Sequence, residues 1–599
     1  MDDSQKHLTY RLGIIILLIF TVYAATLTHG FVWDDTYIIV NNPLLEKLSN
    51  IPQFFLSEDT IEESTGYYRP VTYLSFALDR AVWGMNPTGF HITNLVLHIL
   101  VVLLFYALIA SLFKKEQLAF VSALVFALHP VAGETVNFLA GGRNTLLSAC
   151  FGLLSLLFYI KKKTIPALVS FTVAIFSKEF ALLLPVIFIF YDFRLQREKF
   201  SVSRYAPFLI PVAGYLMLRS YAVQKANFLE SINLSDSVKA PYLVVRYALN
   251  MIFPFQLKVL YSVSPNNVSE IICLALLGIV SAAIYYFRKH DEILFSAFWA
   301  LLFLIPVINI IPLNTTTVLA DRYAYFSLMG FALLLATAIC KLHGRVMTVA
   351  VVMLCAVYAV TDIRHTSSWK NDIAFFTRMT KDAPEKFAGF KNLGMSYYRK
   401  GEITRAVTNL EAADSKADIS VKYLIGDAYI FWKENRLDKA EKSLHRVMVV
   451  NPSNPEPYLL LMMIYEQKGE SAAAEVYRNK LRSLVGGIDE IITTRTFELC
   501  RTGETYMSKR QYADAEIYLW QALQINPEFV PALIDMGSLK SEQRDFAGAI
   551  RYLNKAAALE PSNASAHYNL ALVYKMQGKF AEAQAEMIKF REAESVSKQ

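Results

Sequence analysis

Apolar runs of membrane length recur through the first 361 residues of this 599-residue chain and then stop. A helix that crosses a bilayer needs about 20 mostly apolar residues, because no water is present to pair a stray backbone N–H or C=O. Stretches near 10–28, 92–113, 118–130, 144–160, 164–176, 180–193, 205–222, 270–287, 292–312, 324–341 and 345–362 read as eleven crossings. A further apolar stretch, about 241–257 between Pro241 and Pro254, reads as a re-entrant or interfacial helix. The whole-chain values of 54% hydrophobic and 19% charged residues therefore average two unlike halves. A single soluble enzyme, a disordered chain and a wholly embedded channel are all excluded.

Much of the net charge of +7 sits in short loops between apolar runs: Lys114 and Lys115, Lys161 to Lys163, Arg194 to Arg204, Arg288 and Lys289, and Lys341 to Arg345. Such loops mark the cytoplasmic side, so the basicity does not call for a nucleic-acid partner. Alternation then puts 29–90, 131–143, 177–179, 223–269 and 313–323 on the outer side, with the N-terminus cytoplasmic and the C-terminal half outside. The first run lacks a small-residue cleavage site and reads as a retained span. Five scattered cysteines without a CxxC pair indicate neither a zinc site nor a disulfide framework.

Beyond residue 384 a period of 34 replaces the apolar runs. Gly394, Tyr397, Gly401 and Ala406 recur as Ala428, Phe431, Asn435 and Ala440, then as Met462, Tyr465, Gly469 and Ala474. A second set starts at Gly503, Tyr506, Arg510 and Ala515 and repeats at Gly537 and Ala571, after an insertion of seven residues near 486–494. Small residues at the outer positions let two helices pack closely, and the Gly, Asn or Arg between them marks the turn. Six such units resemble tetratricopeptide repeats, a solenoid of helix pairs that each bury a face on their neighbours. The expected layout is a membrane domain at 1–363, a linker at 364–384 and repeats at 385–599.

Ionisable groups at a membrane are expensive and are functional candidates by default. Four clusters share the outer side: Trp33, Asp34 and Asp35; Tyr68, Arg69 and Pro70, leading to His91, Asn94 and His98; His129, Pro130, Glu134, Asn137 and Arg143; and Lys178 and Glu179 with Asp321, Arg322 and Tyr323. Carboxylates Asp34, Asp35 and Glu134 are candidate catalytic groups, while Arg69, Arg143, Lys178 and Arg322 are candidates to clamp a phosphate. Tyr68, His91, His129, Glu179, Asp321 and Tyr323 are candidates for support. A carboxylate base beside a phosphate clamp suits transfer of a group from a lipid phosphate to a hydroxyl. Plainer roles compete: Asp34 and Asp35 as caps of a loop helix, Arg69 paired with Glu62 or Glu63, Lys178 and Glu179 as an ion pair, and His98 as a buried hydrogen-bonded group. Oxygen ligands from Asp34, Asp35 and Glu134 would also suit a divalent metal.

Taken in order, Trp-Asp-Asp at 33–35, Tyr-Arg-Pro at 68–70, His-x-x-Asn-x-x-x-His at 91–98, His-Pro-x-x-x-Glu at 129–134, Gly142 with Arg143, Lys178 with Glu179, Ala-Asp-Arg-Tyr at 320–323 and the terminal repeats resemble one family. It is the transmembrane and tetratricopeptide-repeat-containing family of protein O-mannosyltransferase-like enzymes, within the GT-C glycosyltransferase superfamily. That resemblance implies an all-α, GT-C-type helical membrane domain, a polyprenyl- or dolichyl-phosphate sugar donor, attack by a Ser/Thr hydroxyl of an extracytoplasmic protein, and inversion. It also implies that an acid of the first outer loop is the base, which here is Asp34 or Asp35 with Asp35 slightly preferred. Glu134 would be the second acid, and Arg143, Lys178 and Arg322 would hold the phosphate. Protein mannosyltransferases of this kind use no metal. The short array points to a bacterial homologue, in the inner membrane with periplasmic repeats; the alternative is an endoplasmic-reticulum protein with luminal repeats. The repeats would bind the acceptor or a partner protein. Competing functions are a non-enzymatic scaffold of anchored repeats and an O-antigen ligase or polymerase.

Overall fold

The computed structural model describes residues 3–56, 67–222, 240–263, 267–308, 317–485 and 487–597. The expected outer segments at 57–66, 223–239 and 313–316, with Glu62 and Glu63, and residue 486 of the insertion lie outside the described residues. Every regular element among the described residues is helical. The chain divides into two compact units, Met1–Pro384 and Glu385–Gln599.

In the first unit, among the described residues, six helices are long and apolar enough to cross a bilayer: Gln5–Thr28, Pro87–Phe113, Leu139–Ile160, Ser269–Tyr286, Asp321–Ile339 and Gly344–Trp369. A seventh results if Glu116–Leu128 and Val131–Asn137, bent by 63° at His129 and Pro130, are one span. The expected count of eleven is not supported. Thr164–Ser177 has only 14 residues. The 180–193 stretch breaks into a 3-10 turn, the seven-residue helix Leu184–Phe190 and a π turn. Helix Val202–Ala222 carries Pro207 and Pro211 inside it, each removing a backbone donor. The helix opened by Asp291 ends at Leu302.

Burial differs along this unit in the way two solvents require. Only 6% of the apolar window of Ser269–Tyr286 is covered by protein, against 72% for Leu139–Ile160. The first presents Ile271, Ile272, Ile279 and Val280 outward; the second is the hub of the unit. Its start needs a glycine. A Cβ on Gly142 would lie 1.9 Å from the Thr135 carbonyl oxygen, so only glycine lets this helix begin against Val131–Asn137.

Residues 364–384 are not a linker. The long helix runs on to Thr366, a 3-10 turn covers Ser367–Trp369, and helix Asp372–Asp382 follows with the Asn371 side chain accepting from Ala374 N at its start. Trp369 and Phe375 are buried there, their rings tilted against each other, with Trp369 stacked on Phe138 and Phe375 on Trp33. The polar residues around them hid this aromatic anchor in the sequence.

The second unit holds six helix pairs: 387–399 with 403–414, 421–433 with 437–450, 456–468 with 471–484, 488–508 with 512–525, 530–542 with 546–559, and 564–576 with 580–597. All six turn positions read from the 34-residue period are left-handed: Gly401, Gly469 and Gly578 near +75°, and Asn435, Arg510 and Arg544 at 55–62°. The seven-residue insertion is absorbed as helix, since Ile488–Ser508 has 21 residues. Close packing explains the small anchors. A Cβ on Gly394, Gly503 or Gly537 would meet the leucine of the following helix (Leu410, Leu519 or Leu553) at 2.8, 2.7 and 2.5 Å.

Candidate active site

The loop after the first long helix makes a tight turn at Val32–Asp35, with Trp33 in the left-handed region at φ 56°. Asp34 and Asp35 leave this turn in different environments. Asp35 is 1% exposed, and both its oxygens accept backbone N–H bonds, Oδ2 from Val32 at 3.0 Å and Oδ1 from Ala140 at 2.7 Å. It thereby pins the loop to the first turn of Leu139–Ile160, where the helix dipole favours a carboxylate. Burial pushes this carboxyl up to about 8, against the pull of the two N–H bonds. Asp34 is half-buried and lies within electrostatic reach of the Arg322 guanidinium.

Arg322 follows the loop before Tyr325–Ile339 and is held by Glu134. One guanidinium nitrogen pairs with Oε1 of Glu134, and Arg322 N donates to Oε2 at 3.0 Å. Its guanidinium also lies over the Phe138 ring at 5.3 Å and the Tyr323 ring at 4.8 Å. Glu134 comes from the short helix after the His129–Pro130 bend, so that bend is what delivers it.

Arg69 and Glu179 form a bidentate pair, Nε to Oε2 at 3.1 Å and Nη2 to Oε1 at 2.6 Å. Burial opposes the Glu179 charge, yet Arg69 and Lys178 beside it hold its carboxyl down to about 2. The Tyr67 ring lies under the Arg69 guanidinium at 3.9 Å. Lys178 is 2% exposed and donates to the Thr145 hydroxyl at 2.7 Å. Burial, reinforced by Arg69 and Arg322, pushes its ammonium well below the usual lysine range. Arg69, Glu179, Arg322 and Glu134 all act on Lys178, so three cations and two carboxylates from four separate segments form one cluster, with Asp34 at its edge.

Other sequence candidates sit elsewhere. Arg143 is not available to a phosphate: it is fully buried, ion-paired with Asp79 at 2.7 Å, and donates to Asn94, Ser75 and the Phe90 carbonyl. Its donors are spent on joining three helices. His129 bonds the Met251 carbonyl through Nε2 and accepts from Val131 N, which fixes the bend. His91 faces the Gly30 carbonyl at 3.5 Å and stacks edge-on with His29. His98 is held by the Tyr325 hydroxyl and the Ala127 carbonyl. The Tyr68 hydroxyl donates to the Phe55 carbonyl. Asp321 accepts from Asn250 and Tyr261, away from the pair its neighbour Arg322 makes. Tyr323 does line the cluster, 5.6 Å from the Lys178 ammonium.

Both oxygens of Glu134 face Arg322, and both of Asp35 accept N–H bonds. Sequence reasoning missed Asp79, Thr145 and Asp372, whose Oδ1 accepts the Trp33 N–H at 2.8 Å. For Asp79 the signal was a charge beside Arg80 on a mostly apolar helix; Thr145 carried none.

Fold and site together describe an all-helical membrane protein with a charged cluster at the edge of its helices, followed by a tetratricopeptide array. The family model described as a TPR repeat matches residues 537–578. Over most of its length the chain is similar to proteins of the transmembrane and tetratricopeptide-repeat O-mannosyltransferase family, as its motif order suggested. The mouse protein O-mannosyl-transferase TMTC3 is 24% identical, covering 96% of this chain and 66% of the relative. A protein O-mannosyl-transferase of Caenorhabditis elegans is 25% identical, covering 64% of this chain and 59% of the relative. Mouse TMTC1, of the same description, is 40% identical over 144 residues, 23% of this chain and 15% of that protein. The chain thus spans less than two thirds of these relatives. Among solved structures, one of MamA is 22% identical over 29% of this chain and 96% of that one, with a TM-score of 0.18.

Proposed function

We propose that the first unit transfers a sugar from a polyprenyl-phosphate donor to Ser/Thr hydroxyls of an extracytoplasmic protein. The observation that carries this reading is the gathering of Arg69, Lys178 and Arg322 beside Asp34. The relatives described as protein O-mannosyl-transferases support it. In the reaction the acceptor oxygen attacks the anomeric carbon as the bond from that carbon to the phosphate oxygen breaks. A single displacement inverts the centre. The hydroxyl proton passes to Asp34, the acid of the loop within electrostatic reach of Arg322. Negative charge grows on the departing polyprenyl phosphate, and the three cations stabilise it. Glu134 and Glu179 hold Arg322 and Arg69 in place, and Asp35 holds the loop.

The side of action follows from the basic loops, which put this cluster on the outer face. The repeats would bind the acceptor or a partner protein on that same side. The test is transfer of radiolabelled mannose from undecaprenyl-phosphate mannose to a pool of Ser/Thr peptides by the purified full chain. Transfer by the wild type and its loss in Asp34→Asn are expected. Full activity in Asp34→Asn would overturn the assignment of the base. Absence of transfer by the wild type from mannose and other polyprenyl-phosphate sugars would overturn the reaction class.

A further inference from the structure

Helix Asp372–Asp382 follows the last long apolar helix and takes no part in the chemistry above, yet it is bonded to the loop that carries Asp34. Gly30 N donates to the Lys370 carbonyl at 3.0 Å, and Trp33 N donates to Asp372 Oδ1 at 2.8 Å. Trp33 immediately precedes Asp34 and lies at φ 56°. That region is unfavourable for a bulky L-residue and persists only where the surroundings over-determine it. Here they do. The indole stacks on Phe138 at 5.6 Å and on Phe375 at 5.4 Å, and its backbone N–H is fixed by Asp372. Phe138 in turn lies under the Arg322 guanidinium. The left-handed residue sets the direction in which the chain enters Asp34, and one end of that device belongs to the helix after the membrane.

We propose that Asp372 is a positioning residue for the transfer reaction: by accepting the Trp33 N–H bond it fixes the left-handed turn that aims Asp34 at Arg322. The segment after the last long helix then completes the active site. This rests on the reading of Asp34 as base. A misplacement of about 1 Å at a reacting group costs on the order of a hundredfold in rate, so the device matters even though Asp372 touches no substrate.

The experiment uses the full chain in lipid nanodiscs with undecaprenyl-phosphate mannose and the peptide pool. Asp372→Ala should lower kcat on the order of a hundredfold and leave the donor KM near wild type. Asp372→Asn keeps an oxygen that accepts the N–H and should restore most of kcat. Asp372→Glu keeps the charge but shifts the oxygen by one methylene, and should lose kcat. This pattern holds the test open if the alanine variant fails to fold, because a role for charge predicts the reverse order for Asn and Glu. Wild-type kcat in the alanine variant, that reversed order, or a rise in KM alone would overturn the proposal. Silence of the wild-type chain would instead remove the reading on which it rests.

Discussion

Replacing Asp35 by alanine while converting Asp34 to asparagine separates two adjacent acids that the sequence treats alike. Asp35→Ala leaves two buried N–H groups, of Val32 and Ala140, without their acceptor. Each orphaned buried donor costs about 1–3 kcal/mol, so the loss is roughly 2–6 kcal/mol, a large share of the stability of a typical domain. The melting temperature of the chain in detergent, read as the loss of the monomer peak on size exclusion after heating, should fall by roughly 5 °C or more. Asp34→Asn should leave that midpoint near wild type and lower transfer by about 10²-fold or more, as expected for loss of a general base. A pH series adds an independent check. The unfolded chain releases the Asp35 proton near 3.8, whereas the folded one keeps it to about 8. The folded state therefore binds the extra proton between those values, and the contribution of this group falls as pH rises through that window. Asp35→Ala should flatten that slope. An unchanged midpoint in Asp35→Ala, with transfer lost there and retained in Asp34→Asn, would refute the hydrogen-bond argument and make Asp35 the base.

Arg143→Met should cost about 3–5 kcal/mol by leaving Asp79 buried and unpaired, and adding Asp79→Leu should recover part of it; a melting-temperature cycle over the four chains measures the coupling. Gly537→Ala would drive a methyl to within 2.5 Å of the Leu553 Cγ atom and should destabilise its helix pair by about 1–3 kcal/mol. Hydrogen exchange over residues 530–559 of the intact chain reads that as faster exchange. Arg544→Gly relieves a left-handed φ of 62° and should stabilise the same pair by about 0.5–1 kcal/mol, slowing exchange in that window.

The repeat array was legible because its signal is periodic: the turn positions stay left-handed even where Asn435, Arg510 and Arg544 stand in place of glycine. The membrane half was harder. Apolar runs do not reveal where a helix breaks, and the 63° bend at His129 and Pro130 or the short helix Leu184–Phe190 turns expected spans into something else. Arg69, Glu134, Lys178, Glu179 and Arg322 lie together, but which partner each takes was not legible. Arg69 pairs with Glu179, remote in sequence, and Arg143 with Asp79. Trp33, the left-handed residue just before the two neighbouring acids, is bonded to Asp372 in a segment that read as a linker.

Charge balance within the cluster ties these pieces to one chemistry. Arg69 is matched by Glu179 and Arg322 by Glu134, so each pair is close to neutral. Among the described residues Lys178 makes no ion pair, and burial pushes its ammonium well below the usual lysine range. The resting cluster thus holds one cation that is poorly matched by the protein itself. In the proposed reaction an incoming phosphate would supply that counter-charge. Discrimination follows from the same arrangement. A neutral sugar would leave Lys178 uncompensated, whereas a phosphate-linked one satisfies it. On the proposed reading the paired acids fix the two arginines without cancelling Lys178, an arrangement that would favour an anionic leaving group.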